Sequence, residues 1–591
     1  MLHLAPIAAA LLAGYLAPAS TPQPKPSQEA LAALDPTRDG RLACRGLDAS
    51  RATLSRRLQQ AARFAEAQGA GPTELALYDR LPSTDLPLGP IHPLARRYFE
   101  QGLALAEGFN HKAAIRSFRH AQTLAPDCAL CFWGEALAHG PNINDGMGDD
   151  ANKAALTALD RAQALAPSAD GLTRELIAAQ ALRYSPVPDA GRAELDAAYA
   201  DAMLDIAAGH GESDDVSILA VEAAMNTVPW NYFDPETGEA RARIPEAMAL
   251  AETVMRRSPG DAQAAHLYIH LLEARDPKRA EAAADALRQS RAPALGHLVH
   301  MPAHIYYRLG RYRDSIEVNV DAARADEAYL VVAGDEGIYR YGYYPHNVHF
   351  LLSSAQMMGN VGMVMSESAR LSSLLGIDIA RQLPWIQAIH AAPGFALAQY
   401  ASPEATLALS AKPSELAYVE AMRRYTRAVA YARAGNDAGF DEEYRELAAL
   451  ASAPGVTDMV AAGFPAPDIV NLAAAVSQGR RAYAKRQYRA AADHYRRAIE
   501  LQKTIPYNEP PFWYFPVSQA LGAALYAAGD YAGARDSFRA ALFDAPNNGL
   551  ALYGLAQAER RLGNRLEAQA AEAALGKAWV GNRALLRMDR I

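Results

Sequence analysis

Phe515-Pro-Val-Ser-Gln-Ala-Leu-Gly-Ala-Ala-Leu-Tyr-Ala-Ala-Gly-Asp-Tyr-Ala-Gly-Ala-Arg-Asp-Ser-Phe-Arg-Ala-Ala-Leu-Phe-Asp-Ala-Pro-Asn-Asn548 carries the pattern of a paired-helix repeat. Small residues at Gly522 and Ala534 let two helices approach closely, and Phe538 fills the gap beside them. Leu525, Gly529, Tyr531 and Ala541 fall at further fixed positions of the pattern, and Pro546 ends the second helix. The stretch therefore reads as one helix–turn–helix unit that cannot bury its apolar face alone and must stack on copies of itself.

The spacing is that of a 34-residue tetratricopeptide repeat (TPR). Ala95 to Cys128 repeats it with Tyr98, Gly102, Ala114, Phe118, Ala121 and Pro126. Weaker copies lie around Ala155–Pro167, Ala247–Pro259, Tyr425–Gly435, Tyr488–Ala498 and Leu552–Ala568. The expected fold is all-α: a TPR-type solenoid of helical hairpins wound into a superhelix. Its expected divisions are a signal peptide (1–19), a linker and helical segment (20–92) and N-terminal repeats (93–260). His-rich repeats (261–360), further helical repeats (361–470) and C-terminal TPR repeats (471–591) follow.

Composition agrees with this reading. The chain has 591 residues, half of them hydrophobic and rich in Ala, and a net charge of −8. That balance gives nucleic acid no basic surface. The apolar run Leu4–Ala17 followed by Ala17-Pro18-Ala19 reads as a secretory h-region and cleavage site, though the n-region offers only His3. It is shorter than the roughly 20 residues that span a bilayer, and no later stretch is long and apolar enough. The expected location is periplasmic or secreted. Cys44, Cys128 and Cys131 are the only cysteines. Cys128-x-x-Cys131 is followed by Phe132 rather than His, so it is no c-type haem site, and it reads as a structural disulfide or two small buried side chains. Asp35-x-Thr37-x-Asp39-Gly40 begins like a calcium loop but lacks the final acid, Gly46 standing there.

Histidine carries the functional signal. Of 15 histidines, seven lie between His266 and His349, where even scatter would place about two. They fall as His266-x-x-x-His270, His297-x-x-His300-x-x-x-His304 and His346-x-x-His349, spacings that share a helical face. In the repeat frame His266 and His300 occupy one position, and His270 and His304 another. His297 and His346 share a third, and His349 returns to the first. In TPR proteins these positions line the concave groove, so three successive helices aim seven imidazoles into one cavity.

A lone helical histidine is usually a satisfied polar residue, but seven grouped rings repel one another when charged. A divalent metal removes that conflict by taking neutral imidazole lone pairs. His266, His270, His297, His300, His304, His346 and His349 are therefore the expected ligands, sufficient for two metals. Copper is favoured slightly over zinc or iron, partly because Tyr306, Tyr307, Tyr312, Tyr329, Tyr339, Tyr341, Tyr343 and Tyr344 surround the segment. Glu273, beside His266 and His270, is the expected catalytic carboxylate, either as ligand or general base. Beyond the second His repeat the period lengthens, and the extra residues between Ala325 and Tyr344 read as a lid or wall over the cavity.

Several segments resemble a family of exported bacterial TPR proteins with His-rich, metal-site-like motifs. They are Phe109-Asn110-His111, Cys128-Ala-Leu-Cys-Phe-Trp-Gly134, Gly140-Pro-Asn-Ile-Asn144, Ala224-Met225-Asn226 with Pro229-Trp230, and His266-Leu-Tyr-Ile-His270. Gly296-His-Leu-Val-His-Met-Pro-Ala-His304, Tyr344-Pro-His-Asn-Val-His349 and Glu509-Pro-Pro-Phe-Trp-Tyr514 complete the set. The resemblance implies that the histidines act as a unit, and it adds His111 and the CxxC as contributors that do not fit the groove positions. It names no reaction. The residues point to a metal-dependent oxidoreductase or hydrolase acting on a small molecule or peptide in the groove. The alternatives are a metal storage or delivery protein, and a TPR scaffold that binds a protein partner without catalysis. No phosphate loop, nucleophile elbow, dinucleotide fingerprint or H-E-x-x-H motif appears.

Overall fold

The computed structural model describes residues 27, 75–79, 81–187, 190–234, 236–290, 296–333, 339–506 and 508–591. The expected signal peptide, the Asp35 loop, Cys44 and Gly334–Gly337 lie outside the described residues. Among the described residues the chain is helical, with one isolated β-bridge between Phe233 and Ala240.

Each repeat is built as its sequence dictates. The first helix of the unit that opens at Phe515 runs Val517–Ala527 and the second Tyr531–Asp544. Gly529 between them takes φ +86°, a conformation that costs other residues strain. The next residue, Asp530, caps the second helix by accepting from the Gly533 amide at 2.9 Å. Asn110, Asn360 and Asn436 occupy the same place in their repeats and cap the same way. Packing repeats too. A Cβ on Gly522 or Gly554 would meet the Phe538 ring at 2.9 or 2.3 Å, and Gly102 and Gly134 grip Phe118 in the same manner. The fold is the all-α, TPR-type helical-hairpin solenoid.

The superhelix closes on itself. The Val580 and Gly581 amides donate to Met358 O at 3.1 and 3.2 Å, and Asn547 Nδ2 donates to Gly310 O at 3.3 Å. On the other side Tyr339 Oη donates to Gly108 O at 3.0 Å. The His-bearing helices Ala262–Leu272, Gly296–His300, Pro302–Arg308 and Tyr344–Met357 thus lie inside the molecule. The residues expected to form a lid or wall over the cavity are partly helical: one helix extends through Tyr312–Ala333, and Tyr339–Tyr343 forms a single π-helical turn. Tyr339, Tyr341, Tyr343 and Tyr344 are buried, because an aromatic-rich insertion gains more by packing than by projecting.

Candidate metal centre

Six of the seven histidines converge in two groups of three. His266, His270 and His297 form one group, and His300, His304 and His346 form the other. In each group one ring nitrogen from every member lies within 4.8 Å of the others. Helix spacing accounts for the pairs at i and i+4, and the superhelix supplies the third member. His266 and His300 are completely buried, and only His346 is partly exposed.

The groups face inward through Nε2. His266 Nε2 stands 3.1 Å from His297 Nε2, His300 Nε2 stands 2.9 Å from His304 Nε2, and His346 Nε2 lies 3.5 Å from His304 Nε2. Imidazole nitrogens bound to one tetrahedral metal would be about 3.3 Å apart. The observed spacings bracket that value. His270 Nε2, buried, makes no hydrogen bond among the described residues.

The other ring nitrogen of four members is held by an oxygen. His266 Nδ1 donates to Gln263 Oε1 (2.8 Å), His270 Nδ1 to Glu273 Oε1 (3.2 Å) and His300 Nδ1 to Asn319 Oδ1 (2.6 Å). His304 Nδ1 lies between Glu509 Oε2 at 2.6 Å and Glu273 Oε2 at 2.7 Å. Asn319 cannot turn its amide round, since its Nδ2 already donates to Ser315 O at 2.7 Å. Such acceptors fix a proton on Nδ1 and leave Nε2 as the metal-binding atom.

Electrostatics keep most of these rings neutral. Burial, reinforced by the neighbouring histidines, holds His266, His297 and His300 well below the usual imidazole range. Burial also lowers His270, against the pull of Glu273. His304 is the exception: burial opposes its charge, but Glu273 and Glu509 override that and raise it to about 10. Burial raises Glu273 in turn, yet His304 and His270 bring it down to about 2. Glu273 therefore lies as a carboxylate between two Nδ1 edges, on the side of the rings away from the converging nitrogens.

A cavity of about 40 Å³ adjoins both groups, lined by His270, His297, His304 and His346 together with Trp230 and Tyr343. His349 also reaches this cavity but joins neither group; its Nε2 pairs with Tyr514 Oη at 2.8 Å. His111 pairs with Asn142 at 3.2 Å, outside the cluster. Cys128 and Cys131 form a disulfide.

Several residues enter the site from far along the chain. The Phe109 ring packs 4.9 Å from His266 and 5.3 Å from His297, and Trp230 meets His270 edge-on at 5.2 Å. Asn144 links Trp230 Nε1 to Tyr343 Oη at 3.1 and 3.3 Å. Glu509 arrives from the C-terminal half. Helical periodicity gives no signal for these residues, which lie in turns and irregular segments. Their one sequence signal is that Phe109, Asn144, Trp230 and Glu509 all fall inside the family-like segments. Tyrosines also lead away from the centre: ring centroids step from His297 to Tyr343, Tyr339, Tyr329 and Tyr78 at 4.7, 5.1, 5.3 and 6.0 Å.

No family model matches this sequence, and no curated protein matches it significantly. Among solved structures it is similar to the human IFIT1 dimer with PPP-AAAA, at 13% identity over 85% of this chain and 96% of that one, TM-score 0.26. It is also similar to the APC/C hetero-tetramer Cut9-Hcn1, at 14% identity over 82% and 95%, TM-score 0.21. The P58(IPK) TPR domain matches at 14% identity over 74% and 98%, TM-score 0.20. At such scores none of them informs the site, and the fold assignment rests on the chain's own helical hairpins.

Proposed function

We propose that this chain is an exported metal-dependent enzyme with a binuclear centre, one metal held by His266, His270 and His297 and the other by His300, His304 and His346. The observation that carries the reading is the pairing of inward Nε2 nitrogens at metal-ligand spacing with Nδ1 atoms tethered to oxygen acceptors. Three protein ligands per metal leave a coordination position open for substrate, the arrangement of catalytic rather than purely structural sites.

All-imidazole donor sets suit copper, zinc or iron. Copper is favoured, because the tyrosine series leading from His297 suits one-electron chemistry and has no role in hydrolysis. Bound metal would supply Lewis acidity or electron transfer at the open positions. The chain's own part is to hold the rings, through Gln263, Glu273, Asn319 and Glu509, and to exclude bulk water with Phe109, Trp230 and Phe350. Glu273, expected as a general base, is assigned to orienting His270 and His304. His349 is assigned to the cavity wall with Tyr514. The cavity of about 40 Å³ beside the groups has room for a ligand of a few atoms and not for a peptide. The Cys128–Cys131 disulfide supports an oxidising, exported location.

Metal analysis by plasma mass spectrometry on untagged protein tests the reading. About two equivalents of copper, zinc or iron, retained through dialysis, is the expected result. No metal after reconstitution would sink the proposal and leave the TPR interaction surface as the working part. Metal that exchanges freely without turnover would favour storage or delivery.

A further inference from the structure

The Cys128–Cys131 disulfide stands at the start of a helix and beside a cavity, and the metal centre makes no use of it. Cys128 is the N-cap of the helix Ala129–His139, and its Sγ accepts from the Cys131 amide at 3.1 Å. Ser, Thr, Asp or Asn is usual at such a cap, because a side-chain oxygen there takes up an amide that the helix leaves free. Here sulfur holds that place.

The bridge does little for the fold. A disulfide stabilises mainly by closing a loop in the unfolded chain, and the gain grows with loop length. Only Ala129 and Leu130 lie between these cysteines. The turn is also closed without the bridge, since the Cys131 amide donates to Cys128 O at 3.1 Å.

The two sulfurs are unequally placed. A cavity of about 780 Å³ is lined by Cys128, which is 6% exposed, whereas Cys131 is 0% exposed and lies outside the lining. An incoming thiolate therefore meets Cys128 first. Once the bond opens, the Cys131 amide and the helix N-terminus favour negative charge on the Cys128 sulfur. A disulfide whose reduced form is stabilised in this way oxidises other thiols.

The cavity also selects the partner. Its volume lies within the roughly 300–1,000 Å³ of ligand-binding clefts, enough for a few residues of chain. Leu88, Ile91 and Leu124 give it apolar walls, and Asp127 and Asp170 add negative charge. Glutathione would bring two carboxylates against those acids, and a cysteine with apolar neighbours would not.

We propose that Cys128–Cys131 is a redox-active disulfide that oxidises a pair of cysteine thiols on an uncharged polypeptide segment seated in this cavity. One partner thiolate attacks Cys128 Sγ, the Cys128–Cys131 bond breaks, and Cys131 leaves as a thiolate and is protonated. The partner's second thiolate attacks the partner sulfur of the mixed disulfide, and Cys128 leaves in turn. The partner gives up two electrons and two protons and becomes a disulfide, while Cys128 and Cys131 become thiols. The inference stands whether or not the histidines hold metal.

The oxidised full chain is mixed anaerobically with an N-acetylated, amidated peptide that carries two leucine-flanked cysteines. The expected result is about one equivalent of peptide disulfide, with Cys128 and Cys131 both open to alkylation by peptide mass mapping. Cys128→Ser with Cys131→Ser, which keeps every histidine, is expected to oxidise about tenfold less peptide. Reduced glutathione at the same thiol concentration is expected to react about tenfold more slowly. Cys131→Ser is expected to trap the oxidised peptide as a mixed disulfide on Cys128, and Cys128→Ser to trap about tenfold less on Cys131. The reduced chain is expected to melt no lower than the oxidised one, a result that a purely structural bridge would not give. Overturning results are a disulfide that survives excess peptide dithiol until the helices melt, a melting temperature that falls on reduction, undiminished oxidation by the double variant, or glutathione reacting as fast as the peptide.

Discussion

The two three-histidine groups are built on the same pair of repeat positions, yet their surroundings differ. His266, His270 and His297 sit among aromatic rings, Phe109, Trp230 and Tyr343, and among the described residues Glu273 is the one carboxylate on their Nδ1 atoms. His300, His304 and His346 pack on Phe350, and two carboxylates meet at His304. A solenoid repeats its backbone, so both groups inherit the same ring geometry. The charge around each comes from segments outside the repeat pattern. Carboxylates behind a ligand histidine strengthen its donation to a metal and offset the metal's charge. The second group is therefore expected to fill first.

The largest effect separates the groups outright. His300→Ala with His304→Ala is expected to reduce bound metal from about two equivalents to about one, with helicity by circular dichroism nearly intact. His266→Ala with His270→Ala should remove the other equivalent. Wild-type metal content in either double variant would show that the two groups are not the sites.

Glu509→Gln sharpens the contrast. It leaves Glu273 in place but removes the charge found only behind the second group. The affinity of one equivalent is expected to fall by about 10- to 100-fold in a competition titration, and the other should hold. An equal loss at both sites would show that the charge is shared and erase the proposed asymmetry.

Gly134→Ala turns to the scaffold instead. The new Cβ would meet the Phe118 ring at 2.4 Å, so a cost of about 1–3 kcal/mol is expected in denaturant unfolding. Metal content should stay at the wild-type value, since Phe118 packs on Phe99, Gly102 and Gly134. Loss of metal would mean that the centre depends on repeats far from it.

The smallest effect belongs to His349→Phe. With His349 turned to Tyr514, metal content is expected to match the unaltered chain. Loss of an equivalent would add His349 to a group that the described geometry leaves it out of.

Sequence alone determined the repeat. Gly522, Gly529, Phe538 and Pro546 act within one hairpin or between neighbours, so their meaning is local and legible from spacing. The same holds for the pairs His266/His270 and His300/His304, which one helical turn brings together. Tertiary structure decided the rest. Only closure of the superhelix brings Glu509 to His304 and Phe109 to His266 across separations that no helical period encodes. Only that closure turns an expected open groove into a buried centre. It also set Glu273 against the Nδ1 atoms of His270 and His304, and it packed the tyrosine insertion inward. The physical reason is range: backbone periodicity fixes which residues share a face, whereas burial and charge are set by whatever chain folds over that face.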